Sequence, residues 1–201
     1  MNEVSDTVGY SLAFARDMVP AKMAAYSAAL PPIYQKFVGQ YLAIGGPGRG
    51  VERLAGDWGD RSVMLGVFPD YAAVGEFWTS PEYRAAAKLR VGAVKVDACR
   101  LPGRRAPDEH QAMLLLAVKG ADDLPALLES ATSVAPAARV LAPLAVGGFE
   151  ALEGDLHGHE IGLLSFPDLG ALQTAWAELR PRLMTDNTSV QAYAVNRAPR
   201  P

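Results

Sequence analysis

The chain has 201 residues, half of them hydrophobic and a fifth charged, with a net charge of −3, which fits a soluble globular protein of one domain or two small ones. The acidic balance offers no basic face to nucleic acid, and no apolar run reaches the length of a membrane span. MNEVSDTVGY lacks the basic start and apolar core of a secretory signal, and a single cysteine, Cys99, excludes an internal disulfide framework, so the expected compartment is the cytoplasm.

The first expected strand is GYSLAFAR, residues 9–16. A helix follows from about Pro20 to Phe37, with Met23, Tyr26 and Leu30 at helical spacing. Pro31-Pro32 is expected to end or bend it, because proline lacks the amide donor and crowds the preceding turn. YLAIGG (41–46) is a strand running to a glycine pair, and GGPGRG (45–50) a bent hairpin connection, without the helix and lysine that a phosphate loop needs. Asp57 follows a glycine in an expected tight turn, and RSVMLGVF (61–68) is rich in β-formers. Asp70 stands at the N-cap of an amphipathic helix carrying Trp78, and Ser80-Pro81 restarts the helix, Ser80 capping and Pro81 first. AVKVDACRL (93–101) closes the first half, and PGRRAPDE (102–109) has the proline and charge of a linker. The second half repeats the order with QAMLLLAV (111–118), a helix from Asp122 to about Val134, PLAVGG (143–148) and HEIGLLSF (159–166). An Asp168-capped helix with Trp176 and a last strand, SVQAYAVNR (189–197), complete it.

The two halves also repeat in letters. Residues 54–78 and 152–176, 98 positions apart, agree at nine positions, among them Gly56 with Gly154, Asp57 with Asp155, Phe68-Pro69-Asp70 with Phe166-Pro167-Asp168 and Trp78 with Trp176. Two copies are too few for a solenoid, so the expectation is a duplicated βαββαβ, ferredoxin-like unit of α+β class. One face of such a sheet is covered by helices and the other must be buried. A second, covalently attached sheet packed face to face meets that need and makes an intramolecular pseudo-dimer. The expected division is residues 1–103, a linker at 104–109, and 110–201.

The first half, through GYSLAFAR, YLAIGG, LAGDW and above all the FPD, Trp78 and SPEYRAAAKLR run, resembles the bacterial family of domains of unknown function numbered 1330 over residues 9–103. The second half resembles a degenerate member: it keeps LEGD and FPD but has Leu179-Arg180-Pro181 where the first has Pro81-Glu82-Tyr83. The first half departs too, with Leu54-Ala55-Gly56 where the second retains Leu152-Glu153-Gly154. The resemblance implies a dimeric α+β barrel with a pocket between each sheet and its own helices. It brings no reaction, only fold-level analogy to cofactor-free monooxygenases, isomerases, cyclases and haem-degrading enzymes.

Tyr83, Ala87 and Arg90 fall at i, i+4 and i+7, so a phenol and a guanidinium on one face can bind and polarise a carbonyl or carboxylate. The competing reading places Arg90 in the last helical turn for the dipole, with Tyr83 packed beside it. Trp78 and Trp176 recur and so favour core roles, whereas Tyr26, Tyr34 and Trp58 are unique to the first half and suit a pocket wall. Phe14 can face either the helices or the opposing sheet. Glu52 and Glu153, beside the Gly-Asp turns, are the candidate bases, against a solvated or salt-bridged role. His157-Gly158-His159 can put two imidazoles on one strand face but lacks a third ligand. The expected long helices carry no histidine and no dinucleotide fingerprint is present, so no metal and no cofactor are expected. The reading is a cofactor-independent enzyme for a small, partly apolar molecule, working by proton transfer as an isomerase or cyclase. Tyr83 and Arg90 hold an oxygen, Glu52 or Glu153 is the base, and Tyr26, Tyr34, Trp58, Trp78 and Phe14 line the site. A cofactor-free monooxygenase and a non-catalytic binding protein are the alternatives. Neither nucleic acid nor membrane is an expected partner, and monomer and homodimer both stay open.

Overall fold

In the computed structural model, which describes residues 6–133, 135–145 and 147–199, the order βαββαβ occurs twice, with one added strand in each half. Val134, the expected helix end, Val146 of PLAVGG, and Met1–Ser5, Arg200 and Pro201 lie outside the described residues. The first half holds β1 (Thr7–Arg16), α1 (Pro20–Lys36), β2 (Gln40–Pro47), β3 (Gly50–Ala55), β4 (Ser62–Phe68), α2 (Tyr71–Thr79), α3 (Pro81–Lys88) and β5 (Lys95–Arg104). The second holds β6 (Ala112–Lys119), α4 (Leu124–Ala131), β7 (Arg139–Ala142), β8 (Glu150–Glu153), β9 (Glu160–Phe166), α5 (Leu169–Leu183) and β10 (Ser189–Asn196).

The strands form one curled sheet in the order β7-β9-β6-β10-β3-β2-β4-β1-β5-β8. Each half contributes an antiparallel ferredoxin-like quartet, β2-β4-β1-β5 or β7-β9-β6-β10. The added strands are exchanged. β3 of the first half pairs with β10 of the second, and β8 of the second pairs with β5 of the first. β7 returns against the far end of β5, where the Arg104 guanidinium reaches the Val140 carbonyl at 3.4 Å. The fold is an α+β barrel made within one chain.

Alternating strand residues fill its interior: Tyr10, Leu12 and Phe14 from β1, Leu65, Leu101, Met113, Leu115, Leu163 and Tyr193. Cys99 is buried among them. Each large apolar side chain taken out of water there contributes about 1.5–3 kcal/mol, so the inter-sheet face is the main adhesive between halves.

Local signals place the helices. Asp70, Ser80, Asp123 and Asp168 each accept a hydrogen bond from a first-turn amide, at 2.8, 3.1, 2.9 and 2.8 Å. Pro31-Pro32 does not end α1. The helix continues to Lys36 because Ile33 and Tyr34 beyond the prolines are buried, and Phe37 N–H closes the end on the Ile33 and Tyr34 carbonyls. The expected linker is shortened: Pro102, Gly103 and Arg104 belong to β5, where they pair with Gly9, Val8 and Thr7.

Candidate functional site

The register of the strands shows why the halves differ. Gly9 pairs with Phe68 and Ala112 with Phe166, so β1 superposes on β6 with Ser11 at Leu114, Ala13 at Leu116 and Ala15 at Val118. These are helix-facing positions. In the second half Leu114, Leu116 and Val118 meet Leu172, Trp176, Leu179 and Leu183 and fill the space between sheet and helices. In the first half the same row is Gly9, Ser11, Ala13 and Ala15, and a cavity of about 520 Å³ lies there instead. Its walls are mainly apolar, from Met18, Met23, Leu30, Val63, Met64 and Val96, with Tyr26, Trp78, Tyr83, Arg49 and Arg90 as the larger polar or aromatic members.

The helix break at Ser80 positions the polar pair. The Ser80 hydroxyl donates to the Phe77 carbonyl at 2.8 Å and accepts from Tyr83 N–H, ending α2 and starting α3. In the second half no such cap intervenes, and α5 runs through Pro181 as one helix that buries Leu179 and Leu183. Tyr83 leaves α3 buried, its ring 4.6 Å from Trp78 and 4.7 Å from Phe77. Trp78 is held in turn by its indole N–H, which donates to Ser11 Oγ at 2.9 Å.

Arg90 lies beyond the end of α3, in the turn that follows Lys88, and not in the last helical turn where the competing reading put it. It is 5 % exposed. Its two terminal nitrogens donate to Glu153, Nη1 to Oε1 at 2.8 Å and Nη2 to Oε2. Glu153 comes from the exchanged strand β8, so a carboxylate of the second half fixes a guanidinium of the first. Arg90 Cζ lies 5.6 Å from the Tyr26 ring centroid. Burial opposes the charge on Arg90, but the bonds to Glu153 outweigh it and the group stays cationic. Burial pushes the Tyr83 phenol well above its ordinary range; neighbouring Tyr26 adds to this and Arg90 opposes it. Tyr83 is therefore a neutral hydrogen-bond donor at physiological pH. Tyr83 Oη and Arg90 Nε are both buried and neither makes a well-formed hydrogen bond among the described residues, although Tyr83 lies near enough to Arg90 and Tyr26 to interact with both. Leaving a buried donor unpaired costs about 1–3 kcal/mol. A buried donor without a well-formed bond calls for an explanation, and an acceptor brought by a ligand would be one.

Of the residues singled out from sequence, Tyr83, Arg90, Tyr26 and Trp78 line the cavity and Glu153 touches it through Arg90. Four do not join them. Tyr34 is buried beneath the wall, its ring 5.3 Å from Phe68 and its hydroxyl 3.7 Å from Met64 Sδ, accommodated by the missing side chain of Gly66. Phe14 points into the barrel, where it packs at 5.5 Å on Trp58. Trp58 sits there too, edge-on to His159, at the position that Leu156 occupies in the other half. Glu52 is exposed and borders a different surface groove with Arg53, Asp60 and Leu169. His157 and His159 are in the turn before β9 rather than on a strand face, and burial lowers the proton affinity of His159. Among the described residues no three His, Cys, Asp or Glu side chains gather as a metal site.

Sequence reasoning passed over Arg49, Ser11 and the small residues of β1. The signal was present: every second residue of GYSLAFAR is small, whereas the matching row of QAMLLLAV is Ala112, Leu114, Leu116 and Val118.

Comparison with known proteins adds the following. Residues 9–103 match the model of the family described as Domain of unknown function (DUF1330). Comparison with curated protein sequences finds no match. A structure described as a novel heme-binding protein from Thermus thermophilus is 10% identical, with a TM-score of 0.52 over 96% of this chain and 93% of that one. A mutant chlorite dismutase from Candidatus Nitrospira defluvii is 11% identical, with a TM-score of 0.51 over 96% and 91%. The RPA0582 protein of unknown function from Rhodopseudomonas palustris is 22% identical, with a TM-score of 0.40 over 51% of this chain and 85% of that one. The first two share the α+β barrel along nearly the whole chain.

Proposed function

We propose, for a chain whose residues 9–103 match that family's model, that the first-half cavity binds a small, largely apolar molecule bearing a carbonyl oxygen and isomerises it by proton transfer. The observation that carries this reading is the pair of adjacent buried donors, Tyr83 Oη and Arg90 Nε, neither with a well-formed hydrogen bond, on an apolar wall. Donors fixed before the reaction and aimed at an oxygen that gains negative charge stabilise an enolate more than a ketone, which lowers the barrier to its formation. A carboxylate takes a proton from the carbon beside the carbonyl, and the C–H electron pair moves into the enolate. The oxygen is held by Tyr83 and Arg90, and the proton returns to another carbon of the same skeleton. Nothing is oxidised or reduced. Glu153, which is not itself among the lining residues but is bound to Arg90 at the wall, is assigned as the base and must reach the substrate from there. In this reading the second half is a degenerate copy that supplies Glu153 and closes the barrel.

A heme, which the Thermus thermophilus protein is described as binding, would find neither imidazole nor thiolate in this cavity, since none of His110, His157, His159 or Cys99 lines it. The wall offers only phenols, with Tyr83 held neutral by burial, and the thioethers of Met18, Met23 and Met64. A second reading, a carrier without catalysis, draws on one observation: no carboxylate is among the residues lining the cavity.

Exchange of the enolisable protons of small apolar ketones with deuterated water, followed by NMR, separates the two. Catalysis is expected in the wild type. Tyr83→Phe and Arg90→Lys should each slow it by roughly 10²-fold or more, the scale of losing one oxyanion donor. Ketone binding with exchange no faster than in buffer would favour the carrier.

A further inference from the structure

Arg49 stands apart from the other charged residue of the cavity. Arg90 is neutralised by Glu153, and no acidic side chain lines the walls. Arg49 forms no ion pair among the described residues, although its neighbours in chain and space do: Arg53 with Asp60 and Arg61 with Asp97. Its position is built by the glycine-rich hairpin that joins β2 to β3. Arg49 N–H donates to the Gly46 carbonyl at 2.8 Å and Gly46 N–H to the Arg49 carbonyl at 3.2 Å, a tight turn that Gly48 completes at a φ of +68°. A side chain on Gly45 would collide with the Arg49 carbonyl, so that glycine lets the hairpin close.

The guanidinium folds back over the turn. A Cβ placed on Gly46 would lie 3.7 Å from Arg49 Nη2 and 3.0 Å from Ser62 Oγ, and Gly46 and Ser62 are themselves part of the cavity wall. Beside it the rim is apolar, with Ile44 54 % and Met18 36 % exposed. An uncompensated cation at the edge of an apolar cavity is complementary to an anion carried on an apolar body.

We propose that Arg49 is a specificity-determining residue that selects organic anions, so that the ligand is a small apolar acid with its anionic group at Arg49 and its body in the cavity. This rests on the ligand-binding reading of the first-half cavity, but not on catalysis. The glycines of GGPGRG then have a use: they cradle the arginine rather than a phosphate.

The test uses the intact chain and two fluorescent probes that share an apolar body and differ in charge, anilinonaphthalene sulfonate and neutral phenylnaphthylamine. The wild type should bind the sulfonate more tightly, with a preference that shrinks as salt screens the rim charge. Arg49→Ala should weaken sulfonate binding on the order of tenfold, as expected for loss of one charge-assisted contact, and leave the neutral probe unchanged. Ala13→Leu, which copies Leu116 of the filled half, should abolish binding of both probes. Wild-type sulfonate affinity in Arg49→Ala would overturn the specificity proposal alone. If neither probe binds the wild type, or both bind Ala13→Leu undiminished, the cavity reading itself falls.

Discussion

Gly154 and Gly56, which the repeat preserves, hold the barrel through one device used twice. The Asp155 amide donates to Asp97 Oδ1 on β5 at 3.1 Å, and the Trp58 amide donates to Gln191 Oε1 on β10 at 2.9 Å. In each case a Gly-Asp turn of one half meets the last strand of the other. Both glycines have positive φ, +76° and +101°, and a Cβ on either would collide with the acceptor side chain it approaches. Asp97 is also paired with Arg61 at 2.8 Å, both groups buried. Gly154→Ala should therefore cost about 2–4 kcal/mol through backbone strain and a displaced buried acceptor. The control is Gly59→Ala, at φ +72° with nothing within 4 Å of the new Cβ, which carries the strain alone. Thermal unfolding should show a clearly larger fall for Gly154→Ala, and equal falls would mean that the contact with Asp97 contributes nothing.

At the level of elements, β1 and β6 show how one strand opens a cavity and its counterpart fills one. Leu116→Ala should cost about 2–5 kcal/mol, the range for emptying a packed core site. Ala13→Leu should cost far less, because the added side chain enters existing space. Denaturant unfolding of the two variants measures the contrast, and a larger loss for Ala13→Leu would mean that the first-half space is not available to a side chain. The βαββαβ order and the caps at Asp70, Ser80 and Asp168 were legible in the sequence because they depend on neighbours within a few residues; the added strands β3 and β8 were not. The face shown by Phe14 was not. Both sides of β1 are buried, so alternation between core and solvent, the usual guide, is missing there. Trp58 misled for a related reason: being unlike its counterpart Leu156 marks a different filling of the same interior site, not a ligand wall. Glu52 and Glu153 flank comparable turns, yet only Glu153 reaches Arg90. That contact depends on β8 pairing with β5 across the chain, a long-range choice that no local pattern encodes.

For the whole molecule, the exchange of β3 and β8 and the shared interior make the halves interdependent. Residues 1–106 alone would present Tyr10, Leu12, Phe14, Leu65 and Leu101 to water, a face too apolar to remain uncovered. Expressed separately, each half should self-associate or precipitate, while co-expressed halves should form a one-to-one complex detectable by size-exclusion chromatography. Two stable monomeric halves would contradict the shared core. The Arg90–Glu153 bridge carries a further consequence. In an assembly of two identical subunits every mutation is inherited twice, so a site and its supports cannot vary independently. Here the codon for Glu153 belongs to a half whose own sheet-to-helix space is filled, and a change there would retune the cavity opposite while leaving its own surroundings as they were. Covalent joining lets selection act on one side of the barrel at a time.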